Sequence, residues 1–422
     1  MKKLLLSSLL ASTVILTGCF KDDDTPIIIE ETTIIQNGDE TGSGTTVVDV
    51  TGAITENTTW TNDNIYKLNQ KVVVDAGTTL TIEAGTIIQG TPGTGSLASA
   101  LIIARGSKIN AVGTPSQPII FTSSTDNIEI GETAGTNLDE TDRGLWGGLI
   151  ILGNAPCSFS GDIVEAQIEG IPADDTFGLY GGTDPEDNSG VVSYISIRHG
   201  GALIGEGNEI NGLTLGGVGN GTIINNIEVV ANVDDGIEFF GGTVNASNLL
   251  VWAQGDDALD IDQAYSGTID NALVILGDFS DHAFEIDGPE GSATGSFTLQ
   301  NATIIGNTTT ENGEYADYRS GATGTTNNIY AYGFKASSDI ELDNDGVATN
   351  YNDGQLIFGI WELVLPEGVT DVTSLFVNKA DNVSVTDFGI TASAITEGEN
   401  TVGANTSSLS WTYSNDAGSL NF

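Results

Sequence analysis

Asn226-Ile-Glu-Val-Val, Asn248-Leu-Leu-Val-Trp, Asn271-Ala-Leu-Val-Ile, Asn301-Ala-Thr-Ile-Ile and Asn328-Ile-Tyr-Ala-Tyr are five copies of one pattern, spaced by 22, 23, 30 and 27 residues. A second pattern follows the first three copies: Asp234-Asp235-Gly-Ile-Glu238-Phe, Asp256-Asp257-Ala-Leu-Asp260-Ile and Asp281-His282-Ala-Phe-Glu285-Ile. Short β-branched runs split by Gly, Asn and Asp, with a period in the twenties, predict a solenoid of strands. Gly and Asn suit its bends because they tolerate left-handed backbone. The five Asn residues are expected to stack as a hydrogen-bonded ladder, a structural feature and not a chemical one.

The rhythm extends outward from this stretch. It starts near Gly52 and runs through Val72–Gly90, Ala100–Pro115 and Pro118–Ser123. Residues 124–190 interrupt it with two polar loops, Asp126–Arg143 and Asp174–Asn188, around the strand-like Trp146-Gly-Gly-Leu-Ile-Ile-Leu-Gly153. Long loops of this kind leave the cylinder sideways and often shape a binding face. The chain divides into residues 51–360 as the solenoid and residues 361–422 as final rungs and a C-terminal cap, since open solenoid ends expose unpaired strand edges.

The chain has 422 residues, 55 of them Gly, with 12 Lys and Arg against 58 Asp and Glu. A net charge of −46 argues against nucleic acid as a partner, because phosphate contacts need Lys and Arg. It also disfavours polyanionic glycans unless a divalent cation bridges the surfaces. Cys157 has no disulfide partner within the folded part, since Cys19 lies in the leader, and it reads as a small buried or turn residue. The two His residues form no zinc pattern with Cys.

Residues 1–18 read as a targeting segment: Lys2 and Lys3, an apolar run from Leu4 to Leu16, then small residues. Leu16-Thr17-Gly18-Cys19 resembles the bacterial lipobox. That resemblance implies cleavage before Cys19, acylation of Cys19 and a membrane anchor, which several acyl chains make stable. Phe20 stands where an inner-membrane retention Asp would be, so the outer membrane of a bacterial envelope is expected. Lys21-Asp22-Asp23-Asp24 is similar to a surface-export tag and reads equally as a solvated tether within residues 19–50.

Gly144-Leu-Trp146-Gly-Gly-Leu-Ile-Ile-Leu-Gly153, Asn211-Gly-Leu-Thr-Leu-Gly-Gly-Val-Gly219, Asp235-Gly-Ile-Glu238-Phe-Phe-Gly-Gly and Gly403-Ala-Asn-Thr-Ser-Ser-Leu-Ser-Trp411-Thr resemble recurring phrases of a family of bacterial envelope lipoproteins and secreted proteins. The resemblance covers roughly residues 50–422. It implies an all-β fold, a single-stranded right-handed parallel β-helix of the pectin-lyase-like kind, and supplies no reaction.

Repetition places Asp234, Asp235, Asp256, Asp257 and Asp281 at one corner and Glu238, Asp260 and Glu285 three residues on, with Asp262 and Asp287 extending the set. Asp317, Glu341, Asp343 and Asp345 are candidates to continue it. Parallel rungs stack at about 4.8 Å, so these carboxylates would repel unless protonated or bridged. Ca²⁺, a hard ion with flexible oxygen coordination, is the expected ion, and no organic cofactor is expected. Asp side chains also cap turns, so a turn-only role stays open.

Asn232-Val-Asp234-Asp235, Gly255-Asp256-Asp257 and Ser280-Asp281-His282 also look similar to the successive motifs of polygalacturonase-type glycoside hydrolases. By that resemblance Asp235, Asp256 and Asp257 would be the acid/base set beside His282. This sequence departs from the pattern, with Asp-His-Ala for Gly-His-Gly and Asp317-Tyr318-Arg319 for Arg-Ile-Lys. Arg198 reads as a surface or ion-paired residue, His199 as a hydrogen-bonded turn residue, and Trp252 and Tyr265 as core or cross-rung aromatics, with stacking on sugars the alternative. The expected role is surface binding or adhesion towards carbohydrate. A glycoside hydrolase on a polysaccharide is the alternative, and a purely structural envelope protein is a third reading.

Overall fold

The computed structural model describes residues 35–36, 46–171, 175–204, 210–310, 312–418 and 420. Cys19 and the expected leader lie outside them. The chain coils into a parallel β-helix with three faces, and parallel crossovers of this kind are right-handed.

Six long strands build two faces each: Gly190–Arg198, Ile223–Val230, Asn245–Trp252, Thr268–Ile275, Phe297–Ile305 and Gly324–Tyr332. Each bends once, at a residue with positive φ: Tyr194 (52°), Asn226 (54°), Asn248 (56°), Asn271 (64°), Asn301 (56°) and Asn328 (57°). Asn fits there because its short polar side chain offsets part of the cost of the left-handed region. The residues before the bend pair from rung to rung as the first face, and those after it as the second. The expected Asn ladder is present in pieces. Asn271 Nδ2 donates to Asn248 Oδ1 at 2.7 Å, and Asn328 Nδ2 to Asn301 Oδ1 at 2.9 Å. Asn301 turns to Asp270 and Asn226 to Asn225, which breaks the column.

The third face stacks Ala100–Ile103, Leu149–Leu152, Leu213–Gly216, Ile237–Phe240, Leu259–Asp262, His282–Ile286, Glu314–Tyr318, Ile340–Leu342 and Phe376–Asn378. Its inward columns, Leu213-Ile237-Leu259-Phe284 and Leu215-Phe239-Ile261-Ile286, are fully buried. Each such side chain contributes about 1.5–3 kcal/mol by leaving water.

The outward row of this face changes character along the axis. It reads Ile102, Ile150, Thr214, Glu238, Asp260, Glu285, Asp317, Glu341. The apolar half is roofed by the 153–189 loop, whose Phe159, Ile168 and Tyr180 pack on Ile102, Ile150 and Phe240. The roof reaches the first acidic residue, where Glu169 lies beside Asn211 and Glu238. Cys157 sits under this roof with its Sγ against Gly241, where an added Cβ would lie 2.7 Å from the sulfur. Burial raises its thiol to about 12, which removes it as a nucleophile at neutral pH.

Both ends are closed. Ile35–Gln36 pairs antiparallel with the strand Thr46–Ile54, which begins upstream of the boundary expected at residue 51. At the other end the helix Asp345–Asn352 and a cluster of Tyr351, Phe358, Phe376 and Phe388 cover the last rungs. Trp361–Leu363, Phe376–Asn378 and Ala392–Ala394 are final strands, but residues 403–418 do not cap the end. They run back down the outside of the second face. Ala404 N donates to Thr303, Asn405 N to Asn271, Ser408 Oγ to Asn248, and Ser414 N to Glu228. Leu409 closes over Leu250, Leu273 and Ile275. That cover is why the second-face strands are apolar on both sides.

Candidate functional site

Three rows of polar side chains share the acidic half of the third face. The central row holds Glu238, Asp260, Glu285, Asp317 and Glu341, each directly opposite the next. All five are at most 8% exposed. Alternation fixes this, since Ile237, Phe239, Leu259 and Ile261 point inward and their neighbours must point out. A second row lies two residues further along the strands, where Asp262, Asp287, Arg319, Asp343 and Lys379 follow one another. The third row is the bend before the strand, with Asn211, Asp235, Asp257 and His282.

The bend row is a ladder. Asp235 N donates to Asn211 Oδ1 at 3.3 Å, Asp257 N to Asp235 Oδ1 at 3.0 Å, and His282 N to Asp257 Oδ1 at 2.7 Å. Each side chain thus satisfies a backbone donor one rung up, which would otherwise be buried and unpaired. Asp235 and Asp257 therefore act between rungs, as buried acceptors, and not as solvated caps of their own turns. Gly236 is required beside them, because a Cβ there would come within 2.4 Å of Val251.

Four groups of ligand atoms converge to within 4.8 Å: Asp234-Asp235-Asp256, Asp235-Glu238-Asp260, Asp257-His282-Glu285 and Glu314-Asp339-Glu341. Of the ten expected metal ligands, Asp234, Asp235, Glu238, Asp256, Asp257, Asp260 and Glu285 fall in these groups. Asp262 and Asp287 stand next to each other in the second row, and Asp281 lies 4.0 Å from His282 Nε2. Asp345 departs from the expected series, since it opens the helix and binds Asn382.

The chain supplies its own cations to the upper half of the site. Arg319 contacts Glu285 at 2.5 Å and Asp287 at 2.8 Å, and Lys379 pairs with Glu341. His282 Nδ1 lies 2.8 Å from Asp257 Oδ1. The sequence reading placed Arg319 only in a hydrolase-like motif, not against the acidic rows, and missed Lys379. Their registers were the available signal, as Arg319 follows Asp317 at the spacing that separates Asp262 from Asp260. The lower half differs. Among the described residues no Lys or Arg pairs with Asp235, Glu238 or Asp260, and Asp260 Oδ1 is buried without a hydrogen-bond partner.

Burial, then neighbouring carboxylates, push Asp235, Glu238 and Asp260 well above the usual carboxyl range. The same causes raise Asp256 to about 6, Asp262 to about 7 and Glu285 to about 9. Such a face holds protons, or a cation that replaces them. The oxygen-only set Asp235-Glu238-Asp260, with its orphaned buried oxygen, fits Ca²⁺. The Asp257-His282-Glu285 and Glu314-Asp339-Glu341 groups fit it less well, because His282 and Lys379 already sit there.

Of the hydrolase-like set, Asp256 is exposed while Asp235 and Asp257 are buried in the ladder. Arg198 and His199 lie elsewhere. Arg198 is buried on the second face 4.0 Å from Glu228, and His199 is a positive-φ residue whose Nδ1 is 2.8 Å from Asp142 O. Tyr265 stacks in the core on Phe239, whereas Trp252 lies on the outer side of the second face.

Residues 52–414 match the family described as a pectate-lyase like beta helix domain. No curated protein matches the sequence. Among solved structures the chain is similar to the enzymatically active domain of bacteriophage CBA120 tailspike protein 2, at 13% identity and a TM-score of 0.22, over 71% of this chain. It spans 43% of the length of that solved chain.

Proposed function

The chain belongs to the pectate-lyase-like β-helix family, and from that premise we propose that it is a carbohydrate-binding surface protein whose acidic third face works through Ca²⁺. One observation carries the reading: Asp235, Glu238 and Asp260 converge without a cation from the chain and leave the buried Asp260 Oδ1 unpartnered. When bound, Ca²⁺ would neutralise these carboxylates and offer open coordination positions to sugar hydroxyls or carboxylates. The protein's part is to hold the three carboxylates rigidly, on two adjacent rungs, on strands whose inward neighbours are locked in the core. A −46 chain would otherwise repel an anionic polysaccharide, so a bridging cation also answers the charge problem.

Residues 1–24 support attachment to the outer membrane of a bacterial envelope through lipids on Cys19, with adhesion as the resulting role. Among the described residues no helix is long and apolar enough to cross a membrane. Labelled palmitate incorporated into the wild type and lost in Cys19→Ser tests the anchor.

Thermal unfolding of residues 46–422 in EDTA and then in millimolar Ca²⁺ tests the metal. An upward shift abolished in Asp260→Asn supports it, since a ligand that binds only the folded state stabilises that state. No shift sinks the reading.

Asp256 favours a second reading, a glycoside hydrolase. It is exposed and adjacent to Asp257, partial burial of its carboxyl and the neighbouring Asp257 and Asp281 raise it to about 6, and a carboxyl raised towards neutral pH suits a general acid. New reducing ends from a polysaccharide, lost in Asp256→Asn at unchanged melting temperature, would establish it.

A further inference from the structure

We propose that an aromatic track on the outside of the second face, between the 124–148 loop and the returning C-terminal segment, binds a linear neutral saccharide. This site lies on a different face from the acidic rows and needs no Ca²⁺.

Two cavities flank the loop. One, of about 430 Å³, is lined by Pro115, Pro118, Thr133, Arg198, Trp411 and Tyr413. The other, of about 170 Å³, is lined by Arg143, Trp252, Asp278 and Phe279 among others. The Trp252 and Tyr413 rings, 6.3 Å apart, join them. The larger lies within the span of small-molecule sites, about 300–1,000 Å³.

Trp252 packs on the Leu250, Leu273, Ile275 and Leu409 cluster but is only partly buried there. Trp60, Trp146 and Trp361 are at most 2% exposed, whereas Trp252 and Trp411 are half-buried. Phe279 is 67% exposed, with the Arg143 guanidinium 4.7 Å over its ring. Phe279 gains only this cation–π contact for the fold and is otherwise left largely in water. Arg143 Nη1 is buried and donates to nothing among the described residues, so the site lacks one acceptor oxygen. A sugar ring provides both missing halves: an apolar C–H face for aromatic rings and hydroxyls for the orphaned N–H.

Charge selects the class. Arg198 is balanced by the buried Glu228 at 4.0 Å, and Arg143 faces Asp278. Glu140 and Asp416 rim the two cavities. No net positive charge is left to hold an acidic sugar. The C-terminal segment supplies Trp411 and Tyr413, fixed by Tyr413 N and Ser414 N donating to Glu228, so its return along the face builds one wall of the track.

The test is titration of cellohexaose, maltohexaose and xylohexaose, in EDTA, into the folded chain, followed by calorimetry and tryptophan fluorescence. Binding of at least one, with a fluorescence change from Trp252 or Trp411, is expected. Phe279→Ala and Arg143→Met should each weaken it roughly tenfold at unchanged melting temperature. The proposal is overturned if none binds at millimolar concentration or if both variants bind as tightly as the wild type. Working in EDTA separates this outcome from the Ca²⁺-dependent reading, which it leaves untouched.

Discussion

Asp257 Oδ1 accepts two hydrogen bonds from His282, one from its backbone N–H at 2.7 Å and one from its ring Nδ1 at 2.8 Å. One carboxylate oxygen therefore fixes both the main chain and the ring of the next rung. Burial alone would depress the imidazole. The Asp257 bond and the charges of Asp257, Asp281 and Glu285 outweigh it and raise His282 to about 9. Buried His199, by contrast, is lowered. With only two His in the chain, proton NMR should show two well-separated titrations, and Asp257→Asn should bring the His282 midpoint well below 9. A His282 that titrates near 6.5 in the wild type would disprove the pairing.

Protonation and Ca²⁺ compete for the acidic rows. Asp256, Asp262 and Glu285 hold protons in the folded chain up to about 6, 7 and 9, against ordinary values of 3.8 for Asp and 4.5 for Glu. For a group raised in the folded state, the stability it contributes is full below its unfolded value and is lost as pH rises through its folded value. In EDTA the melting temperature should therefore fall as pH climbs from about 4 to 9. In millimolar Ca²⁺ the decline should flatten, because the ionised face gains its cation.

Arg319 stands where a bound cation would otherwise be needed. Arg319→Ala leaves Glu285 and Asp287 unpaired beside each other and should cost about 1–3 kcal/mol, discounted because the guanidinium is 37% exposed. Ca²⁺ should restore more stability to this variant than to the wild type. Equal Ca²⁺ responses, measured by thermal unfolding, would show that the ion does not reach this half of the face.

Glu228 is fully buried and accepts from Ser196 Oγ, Tyr413 N, Ser414 N and Ser414 Oγ. Glu228→Ala removes the acceptor for all of them and leaves Arg198 without its carboxylate. A loss of about 3–5 kcal/mol is expected. Amide exchange should accelerate first across residues 403–418, and limited proteolysis should release that segment while the rungs stay protected.

At the bend, Asn271→Ala should cost more than Asn271→Gly. Both lose the bonds to Asn248 and Ser408, but only Ala must also hold φ near +64° at about 1 kcal/mol or more. Equal losses in chemical denaturation would mean that the ladder bonds alone set the cost.

The sequence determined the solenoid. Asn at five of the six bends, alternating apolar residues and the spacing of the Asp-rich phrases set the rungs and put Glu238, Asp260 and Glu285 in register, because a period-2 pattern repeated in parallel admits one stacking. Glu341 followed the same series, whereas Asp345 left it for a helix end once the periodicity broke. Other features depended on contacts between residues far apart in the chain. Which carboxylates receive Arg319 or Lys379 and which stay without a cation is set by side-chain reach across neighbouring rungs. Whether the outward row is roofed depends on where the 153–189 loop lands, and a loop's path is fixed by the surface that receives it. The return of residues 403–418 over Leu250 and Ile275 could not be read from the segment itself. Its polar, glycine-containing sequence carries no period, and its position is decided by Glu228, Asn248 and Asn271, whose hydrogen bonds exist only after the rungs have stacked.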